Sequence, residues 1–143
     1  MNEAEIIQLF RNSQALLSGH FLLTSGRHSN VYYEKFALLK NPAVCTRICA
    51  AMADQFRDSK VETVVGPTTG GIIIAYDVAR YLGVQAIYAE QGDEGRVFKR
   101  GFSLGPGEKV LIVDDVLTTG RSIEEVVTLV KRSIWCGSRR ART

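Results

Sequence analysis

The segment KVLIVDD (109–115) runs an unbroken apolar stretch into two adjacent carboxylates, Asp114 and Asp115, and VLTTGRS follows at once. A run with no polar alternation reads as a strand covered on both faces, which is the habit of parallel sheets flanked by helices. Hydroxyls and a glycine after it mark a tight turn into a further helix. Such a unit cannot stand alone, because its strand must find parallel neighbours through crossover connections.

The preceding sequence supplies those neighbours. VETVVG (61–66) reads as a strand, GPTTGG (66–71) as a glycine-rich turn, and IIIAYDVARYLG (72–83) as a helix closed by Gly83. VQAIYAE (84–90) is a second strand, and RVFKRGFSL (96–104) alternates as a hairpin or a mobile flap. After KVLIVDD, a helix is expected from about Ser122 to Lys131. The fold class is therefore α/β, with a parallel sheet and right-handed crossovers.

The first forty residues have a different rhythm. Residues 2–17 read as an amphipathic helix capped by Asn2 with Glu5 three residues on, carrying Ile6, Leu9, Phe10, Leu16 and Leu17 on one stripe, with Gly19 as its stop. FLLTSGRHSNVYYEKF (21–36) suggests two short strands, or a strand and a loop, around a Ser-Gly turn. Asn41-Pro42 starts another helix. One domain is expected over 1–143: an N-terminal helix and hood (1–40), a core (41–131) and a basic tail (132–143).

Composition narrows the function. The net charge of +3 comes from Arg132, Arg139, Arg140 and Arg142 in the last twelve residues, and the remaining body carries −1. A near-neutral body argues against nucleic acid as a partner. No apolar stretch is long enough to cross a bilayer, and the N-terminus lacks the basic start of a signal peptide, so a cytoplasmic protein is expected. Cys45 and Cys49 share a helix face; with Cys136 they make an odd count without framework spacing, best read as small buried residues in a reducing compartment.

In an open parallel sheet, ligands bind beyond the carboxyl ends of the strands. Helix-opening amides together with the hydroxyls of Thr118, Thr119 and Ser122 make a cradle for a phosphate monoester, and Gly120 lets the backbone approach it. Asp114 and Asp115 would repel a bare anion. A sugar phosphate resolves the conflict, because its hydroxyls can donate to the carboxylates while its phosphate lies in the turn.

The acidic pair, TTG turn and serine resemble the phosphoribosyl-pyrophosphate motif of type I phosphoribosyltransferases. The resemblance implies that fold, a parallel sheet with a small N-terminal hood. It also implies that Asp114 and Asp115 face the ribose hydroxyls and that Val116, Leu117, Thr118, Thr119, Gly120, Arg121 and Ser122 hold the 5-phosphate. At Arg121 the orotate-specific members usually carry glycine; added charge at the phosphate and a side chain in solvent are both open readings. GPTTGG resembles the pyrophosphate loop (Thr68, Thr69, Gly70, Gly71), where some relatives have lysine in place of Gly70. EQGDEGRVFKRGF (90–102) resembles the catalytic flap, with Arg96, Lys99 and Arg100 as cations for pyrophosphate. FLLTSGRHSNVYY (21–33) resembles the hood signature of orotate phosphoribosyltransferases, so Thr24, Ser25, Gly26 and Tyr33 would border orotate, with Lys35 as a nearby cation and Thr118 of the phosphate turn also facing it. The family further implies Mg²⁺ carried by phosphoribosyl pyrophosphate and a homodimer making orotidine 5′-monophosphate for pyrimidine synthesis. A purine-specific enzyme and a non-catalytic protein binding a nucleotide or sugar phosphate are the alternatives; SGRHS argues against the purine one.

Family members usually continue for several dozen residues past the phosphate-binding helix, including an arginine for the orotate carboxylate. RSIWCGSRRART (132–143) has no helix or strand rhythm and does not resemble that continuation. It reads as a truncated or altered terminus.

Overall fold

The computed structural model describes residues 1–23 and 25–140, with side chains described up to Trp135. They form two compact units, Met1–Ala51 and Met52 onward.

The first unit opens with helix α1 (Glu3–Asn12). The expected capping box is present: Glu5 N–H donates to Asn2 Oδ1 at 2.9 Å and Asn2 N–H donates to Glu5 Oε2 at 2.8 Å. The helix stops well short of Leu17, which corrects the sequence expectation. Ser13 Oγ donates back to the Leu9 carbonyl, Gln14 takes a φ of 55°, and the chain leaves the helix. Leu16–Leu22 is instead strand β1, antiparallel to β2 (His28–Tyr33), with its register broken between Ser18 and Phe21. Gly19 thus lies within an irregular strand and stops no helix. The two-strand reading around Ser-Gly holds. A short helix α2 (Lys35–Leu39), not foreseen, follows, and then α3 (Pro42–Asp54), where Asn41 Oδ1 accepts from Val44 N–H at 3.4 Å. Ala15, Ala37 and Leu38 form the small core of this unit, with Phe10, Val44 and Ile48 against them. Cys45 and Cys49 are buried, their sulfurs 3.9 Å apart.

In the second unit, β3 (Thr63–Pro67) is buried along its whole length. It is parallel to both β4 (Gln85–Gly92) and β6 (Val110–Ile112), while β5 (Gly95–Val97) turns back antiparallel on β4, giving the order β5-β4-β3-β6. Alternation assigns the faces. A Cβ on Gly66 would stand 3.0 Å from Ala75 Cβ, so the even residues of β3 face helix α4 (Gly70–Leu82). Val65, in register with Ile87 and Ile112, faces the opposite way and packs with Val126, Leu129 and Val130 of helix α5 (Arg121–Arg140). Val64, Val65, Val78 and Val126 are fully buried, each side chain contributing about 1.5–3 kcal/mol.

Helix α5 runs to Arg140, past the Lys131 expected from sequence, so residues 132–140 of the tail are helical. Ile134 extends the stripe of Val126 and Val130 by one further turn and packs on the same core. Residues 141–143 and the side chain of Cys136 lie outside the described residues. Among the described residues, no helix is long and apolar enough to cross a membrane.

Candidate active site

Because β3, β4 and β6 are parallel, their carboxyl ends share one edge, and the predicted motifs of the second unit emerge there. Strand β6 ends with Val113 N–H donating to the Val65 carbonyl at 3.0 Å; Asp114 and Asp115 follow directly. Pro67 ends β3, the cis-linked Thr68–Thr69 pair follows, and α4 begins at Gly70.

The two turns meet. A Cβ on Gly71 would lie 2.7 Å from Pro67 Cδ and 3.3 Å from Asp114 Oδ1, so only glycine lets the α4 turn sit against the carboxylate. The constraint at Gly66 is tighter: its Cβ would fall 2.1 Å from the Gly71 carbonyl oxygen. Gly71 of the first α4 turn and the Asp114 carboxylate therefore lie side by side.

Asp114 titrates above the ordinary aspartate value of 3.8. Burial is the main cause and the neighbouring Asp115 charge adds to it, partly offset by hydrogen bonds from Asp115 N–H and Ser122. The bond from Asp115 N–H to Asp114 Oδ1 is 2.8 Å. A carboxyl such as Asp114, disfavoured in its charged form yet placed at a sheet edge, suits a partner that donates hydrogen bonds.

Arg96 crosses the site from β5. Its Nη1 donates to Thr68 Oγ1 at 2.9 Å and reaches the carbonyls of Thr68 and Ala89 at 3.4 Å; its Nη2 donates to Ser122 Oγ at 3.3 Å. Only 11% of this side chain is exposed, and its Nε lies 3.6 Å from Glu125 Oε2. One guanidinium thus touches both glycine turns.

The other predicted cations stand elsewhere. Arg100 Nε and Lys99 Nζ pair with Glu90 at 3.1 and 3.8 Å. They occupy an exposed turn whose base is fixed by Phe98, Phe102 and Leu104 in the core, with Phe102 edge-on to Tyr88. Arg121 is 84% exposed and pairs with Glu125 Oε1 at 2.9 Å. Thr119 Oγ1 accepts from Arg121 N–H at 3.4 Å, which makes it a weak cap for α5. Gly120 has a φ of 81°, a conformation natural to glycine, while Val116, Leu117 and Thr118 are exposed on the same loop.

The hood candidates belong to the first unit. Ser25 and Gly26 form the exposed hairpin tip, where Gly26 N–H donates to the Leu23 carbonyl at 2.8 Å. Tyr33 is at the far end of β2, edge-on to Phe10, and Lys35 opens α2 with its Nζ over the Phe36 ring. Within that unit these residues do not gather around one point. Thr24 lies outside the described residues. Glu90 and Glu125 were not singled out from sequence; a lone glutamate carries no signal, and only the i, i+4 spacing of Arg121 and Glu125 hinted at a pair.

The chain matches the phosphoribosyl transferase domain family over residues 36–133. It is 47% identical over 131 residues to the orotate phosphoribosyltransferase of Desulforamulus reducens, covering 92% of this chain and 69% of that one. Among solved structures it resembles the orotate phosphoribosyltransferase of Aeropyrum pernix, with a TM-score of 0.74 and 25% identity over 89% of this chain and 73% of that one. It also shares its fold with the adenine phosphoribosyltransferase of Leishmania donovani, at a TM-score of 0.71 and 18% identity over 94% of this chain and 65% of that one.

Proposed function

The chain belongs to the phosphoribosyl transferase family, and from that premise we propose that it transfers the phosphoribosyl group of phosphoribosyl pyrophosphate to orotate, giving orotidine 5′-monophosphate and pyrophosphate. The observation that carries this reading is the meeting of the two turns: Asp114 Oδ1 sits 3.3 Å from where a Gly71 side chain would begin. The choice of orotate is supported by identity to an orotate enzyme over nearly the whole chain, since the fold is common to an adenine enzyme as well.

On this reading Asp114 and Asp115 accept hydrogen bonds from the ribose hydroxyls. The first-turn amides of α5 and Ser122 hold the 5-phosphate, and the Thr68–Gly71 turn holds pyrophosphate. Arg96 lends charge to both. The C1–oxygen bond breaks with its electron pair leaving on pyrophosphate, N1 of orotate bonds to C1 while its proton passes to the departing pyrophosphate or to water, and positioning supplies most of the acceleration. Lys99 and Arg100 leave Glu90 to meet the departing charge. Orotate-side roles for Ser25, Gly26, Tyr33, Lys35 and Thr118 rest on the resemblance alone.

Among the described residues there is no group of three or more metal-binding side chains. The aspartate pair fits Mg²⁺ that keeps mostly substrate and water oxygens around it. Bound with phosphoribosyl pyrophosphate, Mg²⁺ would neutralise the leaving group. The same resemblance supports a cytoplasmic homodimer as the working form.

The test is an assay following loss of orotate absorbance with phosphoribosyl pyrophosphate and Mg²⁺. Turnover is expected. Turnover only with a purine base, or binding without turnover, would contradict the proposal.

A further inference from the structure

Glu125 lies one turn into α5, three residues after Ser122 and four after Arg121. Its carboxylate is shared: Oε1 takes Arg121 Nε at 2.9 Å, and Oε2 faces Arg96 Nε at 3.6 Å. The two contacts differ in kind. Arg121 is 84% exposed, so solvent and salt screen that pair. Arg96 is 11% exposed and Glu125 24%, so attraction between them is screened far less. Arg96 Nε has no hydrogen-bond acceptor within reach, which leaves the Glu125 charge to orient that edge of the guanidinium. The opposite edge is thereby turned toward Thr68 Oγ1 and Ser122 Oγ, one on each anion turn.

We propose that Glu125 is a positioning residue, holding the Arg96 guanidinium across the pyrophosphate and 5-phosphate turns before substrate arrives. This rests on the assignment of those turns given above. An arginine fixed in advance saves the ordering cost of a long side chain at the moment of binding. Glu125 touches no substrate; its effect passes through Arg96.

A double-mutant cycle on the full chain tests it, using Glu125→Gln, Arg96→Ala and the pair, with Glu125→Asp as the conservative variant. Glu125→Gln should raise KM for phosphoribosyl pyrophosphate about fivefold, the upper scale of a partly screened ion pair, with kcat within about twofold. Glu125→Asp should recover part of the loss, and Glu125→Gln should add nothing once Arg96 is alanine. An unchanged KM in Glu125→Gln, or the same penalty in the Arg96→Ala background, overturns the proposal. Solvent exchange of the Arg96 Nε–H, followed by NMR without substrate, separates it from the assigned function. If the wild type binds no phosphoribosyl pyrophosphate, that function fails, yet faster exchange in Glu125→Gln still supports the positioning role and equal exchange overturns it.

Discussion

The backbone N–H of Asp115 donates to Oδ1 of Asp114 at 2.8 Å, so the first carboxylate of the pair is oriented by the peptide group of the second. The bond favours the charged form of Asp114, but burial and the negative charge of Asp115 outweigh it, and Asp114 titrates above its ordinary value.

Stability should therefore oppose function at this position. A carboxyl whose folded pKa is raised contributes stability below its unfolded pKa and loses it as pH rises through the folded one. At neutral pH the ionised Asp114 is a cost that asparagine would not carry. Asp114→Asn is expected to melt at or above the wild-type temperature at pH 7, with the advantage vanishing toward pH 3, while kcat/KM falls. Calorimetry at the two pH values checks it.

The acid limb of the rate profile follows from the same charges. If ionised Asp114 accepts a ribose hydroxyl, kcat/KM for phosphoribosyl pyrophosphate should rise with pH through a value above 3.8. Asp115→Asn removes the neighbouring negative charge and should move that limb to lower pH. Initial rates across the acid range decide it, and a limb that moves upward would count against the coupling.

Close packing at the pyrophosphate turn gives an ordered pair of stabilities. Gly71→Ala meets the Pro67 ring at 2.7 Å and should cost about 1–3 kcal/mol. Gly66→Ala meets a backbone oxygen at 2.1 Å, where no side-chain rotation can give relief, and should cost more. Urea midpoints for the two variants provide the comparison.

Lys99 and Arg100 should affect rate and not folding. Their side chains are 52% and 63% exposed, so losing their pairs with Glu90 should change stability by less than about 1 kcal/mol. If they meet the leaving pyrophosphate, each alanine variant should lower kcat by about a hundredfold, the scale for removing one stabiliser of developing charge. Steady-state kinetics beside thermal melts would show the separation.

Much of the second unit was legible because its signals are local. An unbroken apolar run ending at Asp114, a glycine turn at 66–71 and the Gly83 stop each dictate their own conformation, and the capping box of Asn2 and Glu5 does the same in the first unit. The misreadings came where local rhythm is ambiguous. Leu16 and Leu17 continue the spacing of Leu9 and Phe10, yet Ser13 bonds back to the Leu9 carbonyl and the chain pairs with β2 instead. In the tail, Gly137 and the arginines hid a helix held by Ile134 on a core contributed by distant strands. Glu90 and Glu125 were invisible as partners because their cations approach through strand pairing and helix placement, which no spacing in the sequence encodes.

The most direct measurement is isothermal titration of phosphoribosyl pyrophosphate with Mg²⁺ into the wild type and into Asp114→Asn/Asp115→Asn, with circular dichroism to verify folding. Two hydrogen bonds to charged acceptors, each about 1.5–3 kcal/mol, should be lost, so affinity should fall at least about a hundredfold in a variant that stays folded. Equal affinity in the two proteins would show that the sugar is held elsewhere.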